Sequence, residues 1–309
     1  MRKITGLLLA VALFIGTILP LAGCAGGKTA KPAGQSSAKQ GSTQQANGAS
    51  DLSSRTDTLR VHFLDVGQGD SILVQFPNGQ NLLVDAGTNE SATTIINYLK
   101  KKGVTRLNYL VDTHPHEDHI GSMDAVIKNF AIGEVYLPKA TTNTQTFRDV
   151  LSAVKNKGLQ IKTAKAGVTI LENDNLSARM LAPVGTSYED LNNYSAVIKV
   201  KYGNVAFLLT GDAEGISEKE MLDSGADVKV QVLKVGHHGS NSSTSAAFLK
   251  AVGPQYTVIS VGAGNDYHHP HPSTLDKLKK AGVNVLRTDE RGTIVFATDG
   301  KEIAYSSAK

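Results

Sequence analysis

The densest group of reactive side chains in this sequence predicts a metal centre. In VDTHPHEDHIGSMDA, four candidate ligands fall within six consecutive positions: His114, His116, Asp118 and His119. The first two can converge on one ion, and the last two can reach a second. Imidazole and carboxylate ligands suit zinc, manganese or iron. A solvated polar loop is the alternative, but it does not explain why three of the nine histidines are clustered here.

Two later segments supply residues of the same types, each directly after an apolar run. FLLTGDAEG provides Asp212, whose carboxylate can bridge two ions, and LKVGHHGSNSS provides His237 and His238. Ser240 and the serines after it can hydrogen-bond a phosphate oxygen or cap the next helix. A two-metal site activates water for hydrolysis and requires no serine or cysteine nucleophile.

Strands are needed to position these ligands, and the apolar runs before them have strand character. LNYLVDT (107–113) leads into the histidine-rich loop, and HIGSMDAVIKNF (119–130) predicts a helix after it. LRVHFLDV (59–66), DSILVQF (70–76) and QNLLVDAG (80–87) predict a meander at one edge of a sheet. Antiparallel runs with interleaved helices indicate two packed sheets covered by helices.

The first residues have the layout of a secretory signal. Arg2 and Lys3 precede the apolar run ITGLLLAVALFIGTILP, and LAGC ends at Cys24, the only cysteine. This layout is similar to a bacterial lipoprotein signal, in which cleavage leaves the cysteine to carry a lipid. We therefore expect a signal peptide at 1–23 and a lipid anchor in the bacterial cell membrane, outside the cytoplasm. An uncleaved membrane anchor is the alternative.

Composition divides the remaining chain into two parts. Residues 24–57 are dominated by Gly, Ser, Ala, Gln and Lys, which predicts a disordered tether. Residues 58–309 are long enough for one domain with its own core. The formal charge of +4 is too small to indicate a nucleic-acid partner by itself.

A family resemblance becomes visible in the motifs that carry the candidate ligands. THPHEDH, LLTGD and VGHHGS resemble the ligand motifs of the metallo-β-lactamase fold. FLDVGQGDSILVQFPNGQNLLVDAG and HPHPSTLDKLKKAGVNVLRTDERGTI are similar to the soluble hydrolase domain of the ComEC competence family, here detached from its membrane channel. The resemblance extends over residues 59–298 and implies an α+β fold, the four-layer αββα sandwich, with its site at one edge.

The resemblance also implies a site that holds two divalent ions, zinc or manganese. The implied ligands are, for the first ion, His114 and His116, and for the second, Asp118, His119 and His237, with Asp212 shared. We expect His237 because it comes first after the strand, so that His238 would face substrate or support the ligands. Asp118 can also accept a proton from the attacking water.

Three aspartates are expected to support the ligands. Asp65 and Asp70, in LDVGQGD, resemble the first motif of the fold, and one of them should lie behind the ligands. Gly67 and Gly69 would allow close backbone approach there. Asp85 should orient a ligand in the same way. Simple turn formation is the alternative for all three aspartates.

One departure from the broader fold concerns the first ion. Most two-metal members supply a further histidine to it, but the region between His119 and His237 contains none and reads LNNYSAV instead. Asn193, Ser195 or water would take its place, as in the ComEC family. Such an oxygen-richer site favours manganese over zinc.

The segment DYHHPHPST adds three further histidines. We expect His269 and His271 to face the metals as phosphate contacts, with His269 as a candidate proton donor. A surface loop with incidental histidines is the alternative.

Phosphodiester hydrolysis is the activity that the resemblance implies, and we expect a nuclease that acts on extracellular DNA. A cell-envelope phosphodiesterase of the phosphocholine-ester type and a non-catalytic binding lipoprotein are the alternatives. β-Lactam or thioester hydrolysis is disfavoured because the resemblance is to the competence branch. The sequence indicates no protein partner.

Overall fold

A computed structural model of the chain describes Leu52, Arg55 and residues 57–309. The predicted signal peptide, Cys24 and most of the predicted tether lie outside these residues. Among the helices that the structure describes, none is both long enough and apolar enough to span a membrane.

Fifteen strands are present in the described part of the chain: β1 (Leu59–Phe63), β2 (Ile72–Gln75), β3 (Asn81–Val84), β4 (Arg106–Val111), β5 (Ala131–Leu137), β6 (Ile161–Thr163), β7 (Thr169–Asn173), β8 (Leu176–Met180), β9 (Ile198–Tyr202), β10 (Val205–Leu209), β11 (Val232–Lys234), β12 (Tyr256–Ile259), β13 (Asn284–Arg287), β14 (Ile294–Thr298) and β15 (Ile303–Ser307). The α-helices are α1 (Ala92–Lys101), α2 (Glu117–Ile120), α3 (Met123–Asn129), α4 (Gln145–Asn156), α5 (Gly215–Asp223), α6 (Ala246–Val252), α7 (Pro272–Lys280) and α8 (Thr288–Arg291). Three 3₁₀ turns cover Asn89–Ser91, Leu191–Tyr194 and Gly236–Gly239.

The strands form two mixed sheets. One has eight strands in the order β15-β14-β1-β2-β3-β4-β5-β6, and the other has seven in the order β13-β12-β11-β10-β9-β8-β7. Pairing is parallel from β3 to β6 and from β10 to β13, and antiparallel elsewhere. Because parallel strands end at the same edge of a sheet, the loops after β3 and β4 meet at one edge, as do those after β10, β11 and β12.

The predicted meander of β1, β2 and β3 is present, but its predicted place at a sheet edge was wrong. β14 pairs with β1, and β15 pairs with β14, so the meander lies inside the eight-stranded sheet. The covering strands come from residues 294–307, and no local pattern near β1 reveals such a distant pairing.

Alternation along the strands builds the layers. Val61 and Phe63 of β1 point into the core between the sheets, where they meet Phe207 of β10. Leu73 and Leu83 point the other way, into a second core under α1, α3 and α4. A third core lies between the seven-stranded sheet and the helices α5, α6 and α7. The expected αββα sandwich is therefore confirmed.

The helix predicted over residues 119–130 is divided into α2 and α3. Between them, the backbone at Gly121 packs directly against Thr88 and Asn89: an added Cβ would lie 2.1 Å from the Asn89 nitrogen. Gly121 N also donates to Gly87 O at 2.8 Å. This contact ties the loop after β3 to the histidine-rich loop after β4.

Candidate metal centre

The candidate ligands come together where the strands β4, β10 and β11 end. Four of them form one group, in which each residue offers a ligand atom and all these atoms lie within 4.8 Å of one another: Asp118, His119, Asp212 and His238. His238 Nε2 lies 3.2 Å from Asp118 Oδ2 and 3.3 Å from His119 Nε2. His119 Nε2 lies 3.3 Å from Asp212 Oδ1. Two carboxylates and two imidazoles therefore converge on one point.

His114 and His116 form a neighbouring pair, with 3.0 Å between His114 Nε2 and His116 Nδ1. Asp212 Oδ2 lies 3.9 Å from His114 Nε2 and 3.5 Å from His238 Nε2, so the Asp212 carboxylate stands between the pair and the other group. Its Oδ1 is buried and has no hydrogen-bond partner among the described residues. Such an oxygen costs free energy unless a donor or a cation satisfies it. The residues present therefore fit divalent metal ions.

The structure brings His238 into the four-residue group. We had expected His237 there, because it comes first after the strand. His237 Nδ1 faces Glu214 Oε1 at 3.1 Å and Ser242 Oγ at 3.2 Å, while its Nε2 is 3.8 Å from Asp212 Oδ2. The two histidines have φ values of 48° and 51°. This left-handed turn after β11 directs the second ring, rather than the first, towards the ligands.

Asp85 lies behind His119, as expected for a residue that orients a ligand. Asp85 Oδ2 is 2.8 Å from His119 Nδ1 and accepts from Thr113 Oγ1 at 2.7 Å. Asp85 Oδ1 accepts from Thr113 N at 2.8 Å. A carboxylate on Nδ1 fixes the ring and leaves Nε2 for a metal.

Of the two aspartates in LDVGQGD, Asp70 is the one that lies behind the ligands. Its Oδ1 is 3.8 Å from His238 Nδ1, which in turn lies 2.9 Å from Ser260 O. Asp65 faces Lys309 instead, with 3.4 Å between Asp65 Oδ2 and Lys309 Nζ. Asp70 Oδ2 also pairs with the buried Lys234, at 2.9 Å from Lys234 Nζ.

The two glycines of this loop have different roles. An added Cβ at Gly69 would lie 2.4 Å from Asp118 O, and Asp70 N donates to that oxygen at 3.1 Å. Gly69 therefore permits the expected close approach to the ligand loop. Gly67 has no atom within 4 Å of an added Cβ, and its φ of +77° accounts for the glycine.

Asn193 and Ser195, the residues expected to replace the missing histidine, do not join His114 and His116 with a ligand atom. Ser195 Oγ lies 3.4 Å from Nδ1 of His114, whose other nitrogen, Nε2, faces His116. Ser195 Oγ also accepts a hydrogen bond from Asp212 N at 3.1 Å. It therefore positions two ligands. Asn193 is directed towards α5, where its Oδ1 accepts from Ser217 N at 3.3 Å.

The two histidines before α7 that were expected to face the metals point in different directions. The His269 ring lies against His237 and His238, at centroid distances of 5.4 and 6.3 Å. His271 is turned away, and its Nδ1 accepts from Asn241 N at 3.0 Å. Ser240 likewise holds its own loop, with 2.9 Å between its Oγ and the hydroxyl oxygen of Ser242.

A cavity of about 320 Å³ opens over the ligands. Its lining consists of Gln68, His116, Glu117, Asp118, Asn192, Asp212, His237, His238, Tyr267 and His269. It is large enough for a substrate group, and three members of the four-residue group, Asp118, Asp212 and His238, belong to its lining.

The comparisons with known proteins agree with this geometry. Residues 64–263 match the family described as the metallo-beta-lactamase superfamily. The chain belongs to this superfamily. It is similar to ComE operon protein 3 of Bacillus subtilis (strain 168), with 33% identity over 253 residues that cover 76% of this chain and 32% of the relative. It is also similar to Competence protein ComA of Neisseria gonorrhoeae, with 34% identity over 234 residues that cover 75% of this chain and 31% of the relative.

This metallo-beta-lactamase superfamily chain thus spans about a third of the length of those curated relatives. Among solved structures, it resembles a mutant of the CmlA beta-hydroxylase, with a TM-score of 0.50 and 14% identity over 74% of this chain and 52% of the other. That likeness concerns the fold alone. The superfamily and the ligand cluster together support a metal-dependent hydrolase in general.

The candidate ligands carry opposite charges that shift one another's pKa values. Burial would raise the pKa of Asp212, but His238 and His119 lower it well below its ordinary value. Burial would also raise the pKa of Asp118, which the same two histidines hold below its usual range. Burial lowers the pKa of His114 well below its ordinary value. Both carboxylates are therefore ionised at neutral pH, and the His114 ring is neutral. Burial would lower the pKa of His119 and His238, but the neighbouring carboxylates, Asp212 foremost, raise it well above the ordinary value for His119 and to about 10 for His238. A bound metal would therefore displace a proton from each of these two rings.

Several residues at the site were not identified from the sequence. Thr113 joins Asp85 to the ring of His114, with 3.1 Å between Thr113 Oγ1 and His114 Nδ1. Asn192 Nδ2 lies 3.4 Å from His237 Nδ1 at the cavity wall. Tyr267 lies at the mouth. Adjacency to the quoted motifs was the only available signal, because threonine, asparagine and tyrosine are common in any loop.

Proposed function

We propose that this chain is a metal-dependent phosphodiesterase that acts on extracellular DNA as a nuclease. The observation that carries the proposal is the position of the Asp212 carboxylate, with Oδ2 3.9 Å from His114 Nε2 and 3.5 Å from His238 Nε2. A carboxylate shared between two ligand groups is an arrangement that suits a pair of divalent ions.

We assign the ligands accordingly. His114, His116 and Asp212 would hold the first ion, and Asp118, His119, His238 and Asp212 the second. When bound, two divalent ions activate water for in-line attack and neutralise charge on a phosphodiester. His238 replaces His237 in this assignment because its Nε2, and not that of His237, joins the four-residue group.

The chain's own residues would do the remaining work. The Asp118 side chain is 28% exposed and faces the cavity, so its carboxylate can accept a proton from water. Burial, together with His237 and His238, lowers the pKa of His269 to about 4. The His269 ring is therefore neutral near pH 7, and it would contact a phosphate oxygen through an N–H rather than act as a strong proton donor.

DNA is proposed as the substrate because of the relatives. The relative from Neisseria gonorrhoeae is named a competence protein, and the chain is 34% identical to it over 234 residues. A lipid anchor on Cys24 would hold the domain outside the cytoplasm, where external DNA is available. Membrane attachment and DNA uptake are thus part of the same proposal.

The experiment is a hydrolysis panel on the protein reloaded separately with manganese and zinc. The substrates are single- and double-stranded DNA, RNA, bis-p-nitrophenyl phosphate and a phosphocholine ester. We expect DNA cleavage that chelation abolishes and that Asp212→Asn abolishes while the circular dichroism spectrum stays unchanged. Asp174→Asn, in an exposed turn, is the matched control and should retain activity.

The other outcomes would change the proposal in defined ways. Hydrolysis of the phosphocholine ester alone would replace the nuclease with an envelope phosphodiesterase. Metal binding without hydrolysis of any substrate would favour a binding lipoprotein. Full activity of Asp212→Asn would contradict the two-ion assignment.

A further inference from the structure

Tyr267 is an exposed aromatic residue in an unusual place. It is 65% exposed, the largest value among the exposed large hydrophobic residues in the described part of the chain. Single exposed aromatic residues are common on protein surfaces and need no explanation. Tyr267, however, lines the cavity over the ligand cluster.

Three rings form a series from solvent to the ligands. The Tyr267 ring is nearly parallel to that of His269, with 5.7 Å between centroids and 22° between planes. The His269 ring is in turn nearly parallel to that of His238, at 6.3 Å and 28°. One face of Tyr267 is therefore turned to His269, and the high exposure leaves the ring accessible to a flat group from solvent.

Hydrogen bonds hold the loop that carries Tyr267. Asn265 Nδ2 donates to Gly262 O at 2.9 Å and to His269 O at 2.7 Å, and Asn265 Oδ1 accepts from His269 N at 3.0 Å. Gly262 N donates to Gln68 Oε1 at 3.2 Å, which fixes the loop to the β1–β2 connection. A ring on such a support loses little freedom when a partner stacks on it.

The cavity over the ligand cluster is also unusual in the charged residues of its lining. None of the ten described residues that line the cavity is a lysine or an arginine. A polymeric phosphodiester would therefore find no lysine or arginine in the cavity wall, so contacts other than ion pairs with these residues would hold the groups beside the reacting phosphate. Stacking on aromatic rings is the sequence-tolerant contact that single-stranded nucleic acids use.

We propose that Tyr267 and His269 form a stacking subsite for an unpaired base next to the phosphodiester that lies over the ligand cluster. This inference rests on the proposed function and specifies single-stranded nucleic acid as its substrate class. In a duplex the faces of the bases are already stacked, so Tyr267 would not have access to them.

The test measures binding as well as cleavage, with the full chain loaded with manganese. Fluorescence anisotropy compares a short phosphorothioate oligodeoxythymidylate with an abasic strand of the same length and charge. Tyr267→Ala should weaken binding of the base-bearing strand about 5- to 150-fold, the range for loss of one base–aromatic stack. Binding of the abasic strand should not change, and Tyr267→Phe should behave like the wild type.

Ile216→Ala is the matched control, because Ile216 is 59% exposed and is not part of the cavity lining. Equal losses on both strands with Tyr267→Ala would overturn the stacking subsite, since they would show an effect on phosphate contacts or on folding. Failure of the wild type to bind the base-bearing strand more tightly than the abasic one would overturn it as well.

Cleavage of bis-p-nitrophenyl phosphate, measured in parallel, separates this inference from the proposed function. Base-dependent binding without any hydrolysis would overturn the proposed function and leave the stacking subsite standing. Hydrolysis with no base-dependent binding would overturn the subsite alone.

Discussion

Lys234 Nζ lies 2.9 Å from Asp70 Oδ2, and the two side chains are 0% and 1% exposed. The same ammonium group donates to Val235 O at 2.9 Å. Asp70 Oδ1 is 3.8 Å from Nδ1 of the candidate ligand His238. A buried cation thus neutralises a buried carboxylate directly behind the candidate metal centre, at a place where a lone charge would be costly.

Removal of the lysine should therefore strongly destabilise the fold. We expect Lys234→Met to lower the free energy of unfolding by about 3–5 kcal/mol, because Asp70 is left as an unpaired buried charge. Urea denaturation in the presence of a chelator measures this without a contribution from bound metal. The double variant Lys234→Met/Asp70→Leu should recover part of the loss.

Lys201→Met, at an exposed position of β9, is the control for that measurement and should leave the stability nearly unchanged. A Lys234→Met variant as stable as the control would show that the pair is not a significant charge interaction.

His238→Ala should release more metal than His237→Ala. His238 Nε2 lies 3.2 Å from Asp118 Oδ2 in the four-residue group, whereas His237 Nδ1 faces Glu214 Oε1 and its Nε2 reaches only Asp212 Oδ2, at 3.8 Å. Metal content of the two purified variants by mass spectrometry decides the order. A larger loss in His237→Ala would restore the ligand that chain order suggested.

Asp85→Asn should weaken metal binding although Asp85 lies outside the group of Asp118, His119, Asp212 and His238. The carboxylate fixes the His119 ring through Nδ1 at 2.8 Å, and loss of such a contact typically costs 10- to 100-fold, roughly, in metal affinity. Competition with a chromogenic chelator gives the affinity. Asp65→Asn is a natural control, because Asp65 faces Lys309, and equal effects of the two substitutions would contradict the orienting role.

The sequence predicted the elements that precede the site better than the directions of individual side chains. The apolar runs placed His114 and Asp212 correctly after strand ends, and Asp118 lies at the start of a helix, as predicted. Strand and helix periodicity are local properties. The choice between His237 and His238 depends on two left-handed residues in the turn after β11, and chain order carries no information about them.

Contacts between residues distant in the chain could not be predicted from the sequence either. Lys234 stands in the apolar run VQVLKVG, and only the fold shows that Asp70, from a distant loop, meets it. Tyr267 could be recognised as a cavity residue only after its loop was seen over the ligands. Residues that act through contacts distant in sequence are therefore the ones that motif spacing misses.

His62 should make the fold less stable at acidic pH. Its ring is 1% exposed, with Nδ1 2.9 Å from Tyr98 Oη. Burial, together with the charges of Lys102 and Arg60, lowers the pKa of His62 to about 3 from 6.5. Between these two values the unfolded chain takes up a proton that the folded chain does not, so the free energy of unfolding falls as the pH decreases, by up to about 1.4 kcal/mol per pH unit from this residue.

The variant His62→Phe keeps an aromatic ring at this position but cannot be protonated. Urea denaturation of both proteins in the presence of a chelator, at several pH values from 7.5 down to 4.5, isolates the contribution of His62 because the other histidines are common to both. We expect the wild type to lose stability relative to His62→Phe as the pH falls below about 6.5, the ordinary histidine pKa. Parallel stability curves would show that the His62 pKa is the same in the folded and unfolded chain.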